Sequence, residues 1–512
     1  MLKKIRTILA AIFFVGVTVL FLDFTGIIHA WLGWMAKIQF LPAVLAANFI
    51  VVAVLLLLTL LFGRVYCSVI CPLGVMQDIV SWIHGKTKKK NRFRFSYSPA
   101  KNWLRFAVLT LFCVGLVFGA HSLAVIIAPY SAYGRIAANL FAPLYQWGNN
   151  LLAWFAERAD SYAFYSVDVW IRSVSTFVIA AVTFVVIAVL SWKHGRTWCN
   201  TICPVGTVLG FFSRFSLFAP VIDTEKCRNC GLCAKQCKAS CINMKEHVID
   251  YSRCVVCMDC INTCKDGAIH YDFRKRSFAG AQDDNKGVQD DKVCHSERSE
   301  ESIDQGRRAF IISTAIAGTA ATVKAQEMKV DGGLTAITNA QKPERQTPIV
   351  PAGALSLKNF ADHCTSCQLC VSVCPNYVLR PSTSLQTLMQ PEMSYERGYC
   401  RPECTRCSDI CPAGAIRPVT VEEKSSIQIG HAVVNLDNCV VNTDGVKCGN
   451  CARHCPAGAI RMVRKNPEDP KSLMIPTVNE ERCIGCGACE NLCPARPFAA
   501  IHVEGHEVHK MI

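Results

Sequence analysis

The chain carries one cysteine pattern twice in close succession, CRNCGLCAKQC at residues 227–237 and CVVCMDCINTC at residues 254–264. Both copies have the spacing CxxCxxCxxxC, which is typical of proteins that bind cubic [4Fe-4S] clusters. In two-cluster proteins of this kind the fourth cysteine of each run binds the other cluster. We therefore predict one cluster on Cys227, Cys230, Cys233 and Cys264, and a second on Cys254, Cys257, Cys260 and Cys237.

Four more cysteine runs lie in the last third of the chain, and a proline follows the last cysteine of each. The runs are Cys364, Cys367, Cys370, Cys374; Cys400, Cys404, Cys407, Cys411; Cys439, Cys448, Cys451, Cys455; and Cys483, Cys486, Cys489, Cys493. In two of these runs the first two cysteines are further apart in sequence than in CxxC, but no cysteine ligand is lost. Neighbouring runs could exchange their fourth cysteines, or the outer pair of runs could enclose the inner pair. In total we expect six [4Fe-4S] clusters.

The composition excludes two broad alternatives. A disulfide framework suits short secreted domains, whereas this chain has 512 residues and its 31 cysteines follow metal-ligand spacing. The net charge of +15 could indicate nucleic acid. However, the basic residues concentrate beside apolar segments, notably between His84 and Arg105, so we predict no nucleic-acid partner. Only Cys113, Cys241 and Cys294 fall outside the cysteine motifs.

Apolar segments in the first 200 residues predict a membrane unit of four spanning helices. The spans run from about Ile8 to Leu22, Ala43 to Phe62, Leu104 to Ala120 and Val174 to Trp192. The basic N-terminus and the basic loop at residues 84–105 indicate the cytoplasmic side, and the balanced segment 121–172 should lie outside. The outer interface anchors would be Trp31, Trp34, Tyr130 and Trp147.

This unit contains an internal repeat that ends in a CxxxCP motif. The first copy is Gly63, Arg64, Tyr66, Cys67, Ile70, Cys71, Pro72 and Gly74, and the second is Gly195, Arg196, Trp198, Cys199, Ile202, Cys203, Pro204 and Gly206. Each copy follows a helix that runs inward, so the motifs should meet at one membrane face. Their four thiols could bind a cluster or act as a redox-active pair. The alternative interpretation is that the cysteines and prolines of the two motifs only shape a turn after each helix.

The middle of the chain reads as a linker followed by a targeting segment. Residues 276–306 are polar and cannot form a core, which predicts disorder. Arg307 and Arg308 precede an apolar stretch that ends near Val323 and resemble a twin-arginine export signal. The same stretch could be a fifth span or a surface helix.

These segments predict a membrane α-helical unit of four spans, or five, joined to small α+β ferredoxin-like [4Fe-4S] domains. The expected parts are a membrane unit (1–215), a two-cluster ferredoxin domain (216–275), a linker (276–306), the signal or fifth span (307–325), a second linker (326–360) and a four-cluster polyferredoxin domain (361–512). The first ferredoxin domain should be cytoplasmic. An export signal would carry the C-terminal domain to the periplasm.

With these motifs placed, residues 1–275 resemble NapH, the membrane polyferredoxin of periplasmic nitrate reduction. The region from Arg307 onward resembles NapG of the MauM/NapG group, so the chain resembles a NapH–NapG fusion. One departure is that Lys238 and Lys265 stand where a proline usually follows the fourth cysteine. The resemblance implies an electron-transfer subunit of a quinol dehydrogenase in the bacterial inner membrane. No glycine-rich nicotinamide motif follows a strand.

Two functions follow as hypotheses. The first is electron relay from the quinol pool through the clusters to a periplasmic or membrane redox partner, such as a multihaem cytochrome or a reductase. The second is a redox-sensing or maturation factor for a partner metalloenzyme. Quinol oxidation needs a proton acceptor, and Asp23, His29 and His121 lie near the outer helix ends. We favour their interpretation as interfacial polar residues.

Overall fold

Helices dominate the chain up to residue 213 in the computed structural model, which describes residues 2–23, 25–87, 95–274 and 339–512. They are α1 (Leu2–Leu22), α2 (Ile27–Leu32), α3 (Trp34–Lys37), α4 (Phe40–Leu45), α5 (Phe49–Phe62), α6 (Pro72–Thr87), α7 (Asn102–Val117), α8 (His121–Ala124), α9 (Pro129–Ile136), α10 (Ala142–Arg158), α11 (Val174–His194), α12 (Thr197–Thr201) and α13 (Pro204–Ser213). Two π-helical turns, Tyr66–Ile70 and Ala137–Phe141, interrupt this series.

The prediction of four spans is wrong in number. Among the described residues only α1 and α11, of 21 residues each, are long and apolar enough to cross a membrane. The predicted span from Ala43 is broken at Ala47, whose φ is 50°, and α5 keeps only 14 residues. The predicted span from Leu104 becomes the 16-residue α7, which ends just before Gly119 with φ 80°. The predicted linker 276–306 and the signal or fifth span at 307–325 lie outside the described residues.

Glycines end both helices that precede the CxxxCP motifs. Gly63 follows α5 with a φ of 74°, and Gly195 follows α11 with a φ of 64°. This left-handed conformation costs glycine little and other residues more. The chain therefore turns sharply at equivalent points of the repeat, and the arginine that follows each glycine is completely buried.

The cysteine-rich parts contain short helices and five two-stranded antiparallel sheets. Residues 218–274 hold β1 (Phe218–Ile222), β2 (Ile242–Asn243), β3 (Val248–Ile249), β4 (Ile269–Phe273), α14 (Leu232–Gln236) and α15 (Asp259–Thr263). Here β1 pairs with β4, with Phe218 opposite Phe273, and β2 pairs with β3. The described chain thus has ferredoxin-type α+β parts beside a mostly helical part.

After residue 339 the same scheme repeats with longer strands. The elements are β5 (Leu379–Pro381), β6 (Pro391–Met393), β7 (Ile427–Val434), β8 (Ile460–Arg464), β9 (Met474–Val478), β10 (Ile501–Met511), α16 (Leu357–His363), α17 (Leu369–Val373), α18 (Arg406–Ile410), α19 (Val421–Ser426), α20 (Val440–Thr443), α21 (Asn450–Arg453) and α22 (Ala488–Asn491). The sheets are β5–β6, β7–β10 and β8–β9.

The two cysteine-rich parts contact opposite ends of α1. At its start, Lys3 Nζ lies 2.7 Å from Asp259 Oδ1 of α15. At its end, Phe21 belongs to the same buried cluster as Cys367 and Ile410. A helix of 21 residues is about 30 Å long. Residues before Lys275 and after Asn339 form one compact unit, so the helices separate two sets of cysteines by about 30 Å.

Candidate functional site: the cysteine clusters

Each cysteine run folds into a tight loop followed by a single helical turn. The residue that starts the turn is left-handed in both copies of the first ferredoxin-type part, with φ of 68° at Gly231 and 62° at Met258. The fourth cysteine then leaves the turn in an extended conformation, as at Cys237 and Cys264. This geometry points backbone and thiol groups of one run toward one centre.

Four predicted ligands of the second cluster line one buried cavity, together with Cys241. They are Cys237, Cys254, Cys257 and Cys260. Cys241 Sγ lies 3.5 Å from Cys237 Sγ, so five thiols face this space. The sequence prediction left Cys241 without a role, and its position only four residues after Cys237 was the available signal.

The predicted first cluster lies nearer the surface. Cys230 is exposed, and burial raises the pKa of Cys233 to about 11, with further increases from the nearby thiols of Cys230 and Cys227. The fourth predicted ligand, Cys264, follows α15. The structure therefore brings three of these thiols together beside solvent.

In the last two runs, the fourth cysteine of each run lies with the first three cysteines of the other run. One cavity is lined by Cys439, Cys448 and Cys451 of the third C-terminal run and by Cys493 of the fourth. Another is lined by Cys483, Cys486 and Cys489 with Cys455. Of the two arrangements that the sequence left open, this grouping is the exchange between neighbouring runs.

The first two C-terminal runs show the same grouping through charge effects. Burial raises the pKa of Cys370, and the nearby thiols of Cys367, Cys364 and Cys411 raise it further, with a smaller contribution from Cys407. In the same way burial raises the pKa of Cys400, which lies close to Cys374 and Cys404. Cys411 thus sits with the first run and Cys374 with the second.

The two CxxxCP motifs meet in a pseudo-symmetric site of four buried thiols, Cys67, Cys71, Cys199 and Cys203. Burial raises the pKa of Cys203, and the thiols of the other three raise it further. The equivalent arginines cross over: Arg64 Nη2 lies 3.7 Å from Cys67 Sγ and 3.1 Å from the Cys199 carbonyl oxygen. Arg196 Nη1 lies 3.9 Å from Cys199 Sγ and 2.8 Å from the Cys67 carbonyl oxygen.

The two arginines differ in their partners. Arg196 Nη2 pairs with Asp78 Oδ2 at 2.8 Å. Arg64 donates to Asn200 Oδ1 at 2.7 Å and to the Ser252 carbonyl at 3.1 Å, and has no carboxylate partner among the described residues. Its Nε is buried without a hydrogen-bond partner. A buried cation of this kind is costly unless an anion compensates it.

These features fit iron–sulfur clusters better than single metal ions. Within the described residues no three His, Cys, Asp or Glu side chains converge closely enough for one ion. The thiols instead surround cavities, and the Arg64 guanidinium beside four thiols fits an anionic, thiolate-bound group. When bound, such clusters carry single electrons.

Asp23, His29 and His121, the polar residues near the outer helix ends, each contact another titratable side chain. Asp23 Oδ1 accepts from Thr25 N at 2.8 Å and Gly26 N at 3.0 Å, and its other oxygen lies 3.0 Å from His29 Nδ1. His121 Nε2 lies 3.6 Å from Asp362 Oδ1. Asp23 and His29 therefore form one pair, and His121 lies apart from it.

One expected interface anchor is buried instead. Trp31 and Trp147 are exposed, as an interface position requires, but Tyr130 is only 1% exposed. The reason is that α9 packs beneath the C-terminal cysteine loops, where Tyr130 joins the buried cluster around Cys367.

Family models match both halves of the chain. A "4Fe-4S binding domain" model matches residues 44–91 and 176–220, which include both CxxxCP motifs, and a "4Fe-4S dicluster domain" model matches residues 446–496. No solved structure matches the chain.

Curated relatives identify the ferredoxin-type character. The methylamine utilization ferredoxin-type protein MauM of Methylobacillus flagellatus is 32% identical over 167 residues, 31% of this chain and 69% of MauM. The ferredoxin-type protein NapG of Escherichia coli is 31% identical over 182 residues, 32% of this chain and 77% of NapG. MauM of Paracoccus denitrificans is 30% identical over 173 residues, 31% of this chain and 73% of that protein. The chain is therefore an iron–sulfur electron-transfer protein that belongs to the NapG/MauM family of ferredoxin-type proteins.

Proposed function

We propose that the chain is a membrane-bound relay that carries electrons from the quinol pool through [4Fe-4S] clusters to a periplasmic-side redox partner, such as a multihaem cytochrome or a reductase. The observation that carries this proposal is the arrangement along α1. Cysteine-rich parts lie at its two ends, and the four-thiol site of the CxxxCP motifs is buried between helices. A NapH-like first part (1–275) joined to a NapG-like last part (361–512) is the domain organisation that suits it.

Exposed apolar surface supports a membrane location. In the most apolar window of α1 and of α11, only 28% of the residues are buried. Ile12 and Val15 of α1 and Val182 and Val185 of α11 are each more than half exposed. A soluble protein rarely leaves so continuous an apolar surface in water. We therefore propose α1 and α11 as spans in the bacterial inner membrane.

The two proposed spans run in opposite directions between the same two layers. The start of α1 contacts Asp259, and the end of α11 reaches Lys238, because a side chain added at Gly195 would lie 2.4 Å from the Lys238 carbonyl oxygen. At the other end, Arg172 Nη1, just before α11, donates to the Val371 carbonyl at 2.7 Å. The N-terminal basic residues favour a cytoplasmic first ferredoxin domain and a periplasmic C-terminal one.

The chain itself supplies three things to electron transfer: cysteine thiolates, buried cations and the helices that hold them in place. We propose that the six runs hold six clusters through exchanged fourth cysteines, as the grouped thiols support. Oxidation of one quinol releases two electrons and two protons, and each cluster carries one electron. At the CxxxCP site, Arg64 and Arg196 hold both motifs together and place positive charge beside four thiols.

The test is reduction of the clusters by a quinol. Full-length protein in detergent is mixed with the quinol menadiol. Reduced [4Fe-4S] clusters are then measured by electron paramagnetic resonance. We expect Cys67→Ser and Cys199→Ser to abolish quinol-driven reduction while dithionite still reduces the remaining clusters. Cys113→Ser is the matched control, because Cys113 is an exposed thiol on α7. Unchanged reduction in Cys67→Ser would reject a redox role for the CxxxCP site.

Iron content separates the remaining alternatives. Six clusters require about 24 iron atoms per chain, and a seventh at the CxxxCP site would raise this to about 28. A value near 24 with reduction lost in Cys67→Ser would favour a redox-active thiol pair. Far fewer iron atoms, or clusters that no quinol reduces, would favour the redox-sensing or maturation role.

A further inference from the structure

Helix α9 packs directly against the loop of the first C-terminal cysteine run. A side chain at Gly134 would lie 2.4 Å from the Cys367 carbonyl oxygen, so backbone meets backbone at this point. Cys367, Leu369 and Val373 belong to the same buried cluster as Tyr130 and the other α9 residues. The helical part of the chain therefore covers the thiols of this run.

Helix α9 contains buried hydrogen-bond donors that have no acceptor among the residues that the structure describes. Arg135 is completely buried, and its Nη2 donates to the Ile126 carbonyl at 2.6 Å, but its Nε and Nη1 have no partner. The hydroxyl of Tyr130 is buried and also has no partner. An unpaired buried donor destabilises the fold, and more so when it is charged. Several such donors on one short helix point to a missing acceptor.

The cysteine loop adds donors of its own. Ser366 Oγ is buried without a partner. Asn139 Nδ2 donates to Gln368 Oε1 at 2.8 Å, and this orients the Gln368 amide so that its Nε2 remains buried and without a partner. Donors from α9 and from the loop thus surround the same run.

Thiols of the C-terminal cysteine runs lie near the α9 donors. Burial lowers the pKa of Arg135 to about 10, Cys367 opposes this decrease, and the guanidinium stays charged near neutral pH. Burial raises the pKa of Tyr130, and the thiols that raise it further are Cys367 and Cys411. Arg135 therefore lies near Cys367, and Tyr130 lies near Cys367 and Cys411, on the helix whose Gly134 packs against the Cys367 backbone. A thiolate-bound cluster has a negative net charge and sulfur atoms that accept hydrogen bonds.

We propose that Arg135 and Tyr130 donate to the cluster held by Cys364, Cys367, Cys370 and Cys411 and raise its reduction potential. This inference rests on the proposed function. Uptake of one electron makes the cluster more negative by one charge. A fixed cation and additional donors stabilise this reduced form more than the oxidised form, so they favour reduction. Arg135 and Tyr130 are positioning residues that make this cluster the acceptor for electrons leaving the helical part.

The test is a redox titration of the full-length protein in detergent, followed by electron paramagnetic resonance. The titration step of this cluster is identified as the step that is absent from the Cys370→Ser variant. We expect this step to shift to more negative potential in Arg135→Gln, to shift less in Arg135→Lys, and to leave the other steps unchanged. Arg158→Gln is the matched control, because Arg158 is exposed, stacks 3.6 Å from the centre of the Trp154 ring and loses the same charge.

Tyr130→Phe keeps the inference testable if Arg135→Gln fails to fold. This variant removes a single buried oxygen, and we expect a smaller negative shift of the same step with unchanged iron content. Normal iron content and an unshifted step in both Tyr130→Phe and Arg135→Lys would overturn the inference. Loss of quinol-driven reduction is measured separately. Clusters that dithionite reduces, but quinol does not, would reject the proposed function and leave the potential shift as a valid result.

Discussion

At the scale of single residues, Lys238 shows what replaces the proline that usually follows the fourth cysteine. Its ammonium group lies 3.0 Å from Asp259 Oδ2 and 3.5 Å from Asp78 Oδ1, and the side chain is mostly buried. Burial would raise the pKa of Asp259, but the ammonium groups of Lys238 and Lys3 outweigh burial and hold it below 3.8. Lys238 therefore joins the ferredoxin-type part to the helix that carries the first CxxxCP motif.

We expect Lys238→Met to destabilise the protein by about 2 kcal/mol, because the buried carboxylates of Asp259 and Asp78 would each lose one cation and keep another, Lys3 for Asp259 and Arg196 for Asp78. Thermal unfolding of the full chain measures this loss. Lys226→Met is the control: Lys226 pairs with Asp223 at 2.9 Å but is exposed, and such pairs contribute less than about 1 kcal/mol. Equal effects of the two variants would contradict a linking role for Lys238.

The Lys238–Asp259 pair also predicts a pH dependence. Because the folded-state pKa of Asp259 is below its usual 3.8, its contribution is present above that value and is lost as the pH falls through the folded pKa. The folded-state pKa of Lys238 is raised above 10.5, so its contribution is present below that value and is lost at higher pH. In unfolding measurements, the difference between wild type and Lys238→Met should therefore be largest from about pH 5 to pH 10 and decrease on either side. A constant difference down to pH 2 would contradict the pairing.

Residue spacing predicted the cysteine groups but could not predict their surroundings. The CxxCxxCxxxC pattern is local, so it indicates the first three thiols of each group, but in the C-terminal runs it left the place of each fourth cysteine open. The donors from Tyr130 and Arg135 come from a helix more than 200 residues away in sequence from Cys367, and no local pattern signals that contact. For the same reason Tyr130 read as an interface aromatic, although tertiary packing buries it.

At the scale of elements, Gly74 and Gly206 allow α6 and α13 to start directly against the first cysteine of their own CxxxCP motif. A side chain at Gly74 would lie 2.2 Å from the Cys67 carbonyl oxygen, and one at Gly206 would lie 2.2 Å from the Cys199 carbonyl oxygen. The obstacle in each case is backbone, which cannot move aside easily. These glycines are thus needed for close packing within the repeat.

We expect Gly74→Ala and Gly206→Ala to destabilise the protein by about 2 kcal/mol or more and to impair quinol-driven reduction. Gly148→Ala is the control, because Gly148 lies inside α10 with no atom within 4 Å of the added carbon. This control should stabilise the protein by up to about 1 kcal/mol. Unfolding and reduction assays on the same preparations give both readouts, and wild-type behaviour of Gly206→Ala would refute the packing argument.

Hydropathy predicted where the apolar helices lie better than it predicted their lengths. The predicted span from Val174 to Trp192 agrees with α11 to within two residues, and the predicted end at Leu22 is the end of α1. The start of α1 lies six residues before the predicted Ile8, because the helix continues through the basic residues at 3–6. The lengths of the other two helices were overestimated. Apolar composition does not reveal a residue with a left-handed backbone, such as Ala47, inside an apolar segment. The helix breaks come from backbone conformation, which the averaged hydropathy of a window does not contain.

At the scale of the whole molecule, the two cysteine-rich parts lie in different layers, and this predicts different accessibility. An epitope tag placed at the exposed β2–β3 turn, after Glu246, should be protected in intact spheroplasts. A tag after Ile512 should be accessible to an antibody added outside. Permeabilised spheroplasts provide the control, because both tags should then bind. Protection of both tags in intact spheroplasts would place all clusters on the cytoplasmic side.

The crossed arginines of the repeat have a consequence for biosynthesis. Arg64 hydrogen-bonds the carbonyl oxygen of Cys199, and Arg196 hydrogen-bonds that of Cys67. The first motif therefore cannot complete its contacts until residues near Cys199 have left the ribosome. At roughly 5–20 residues per second this interval lasts about 10 s. During it Arg64 and the cysteines of the first motif lack the contacts with the second motif, so assembly of the four-thiol site must follow translation of the second repeat.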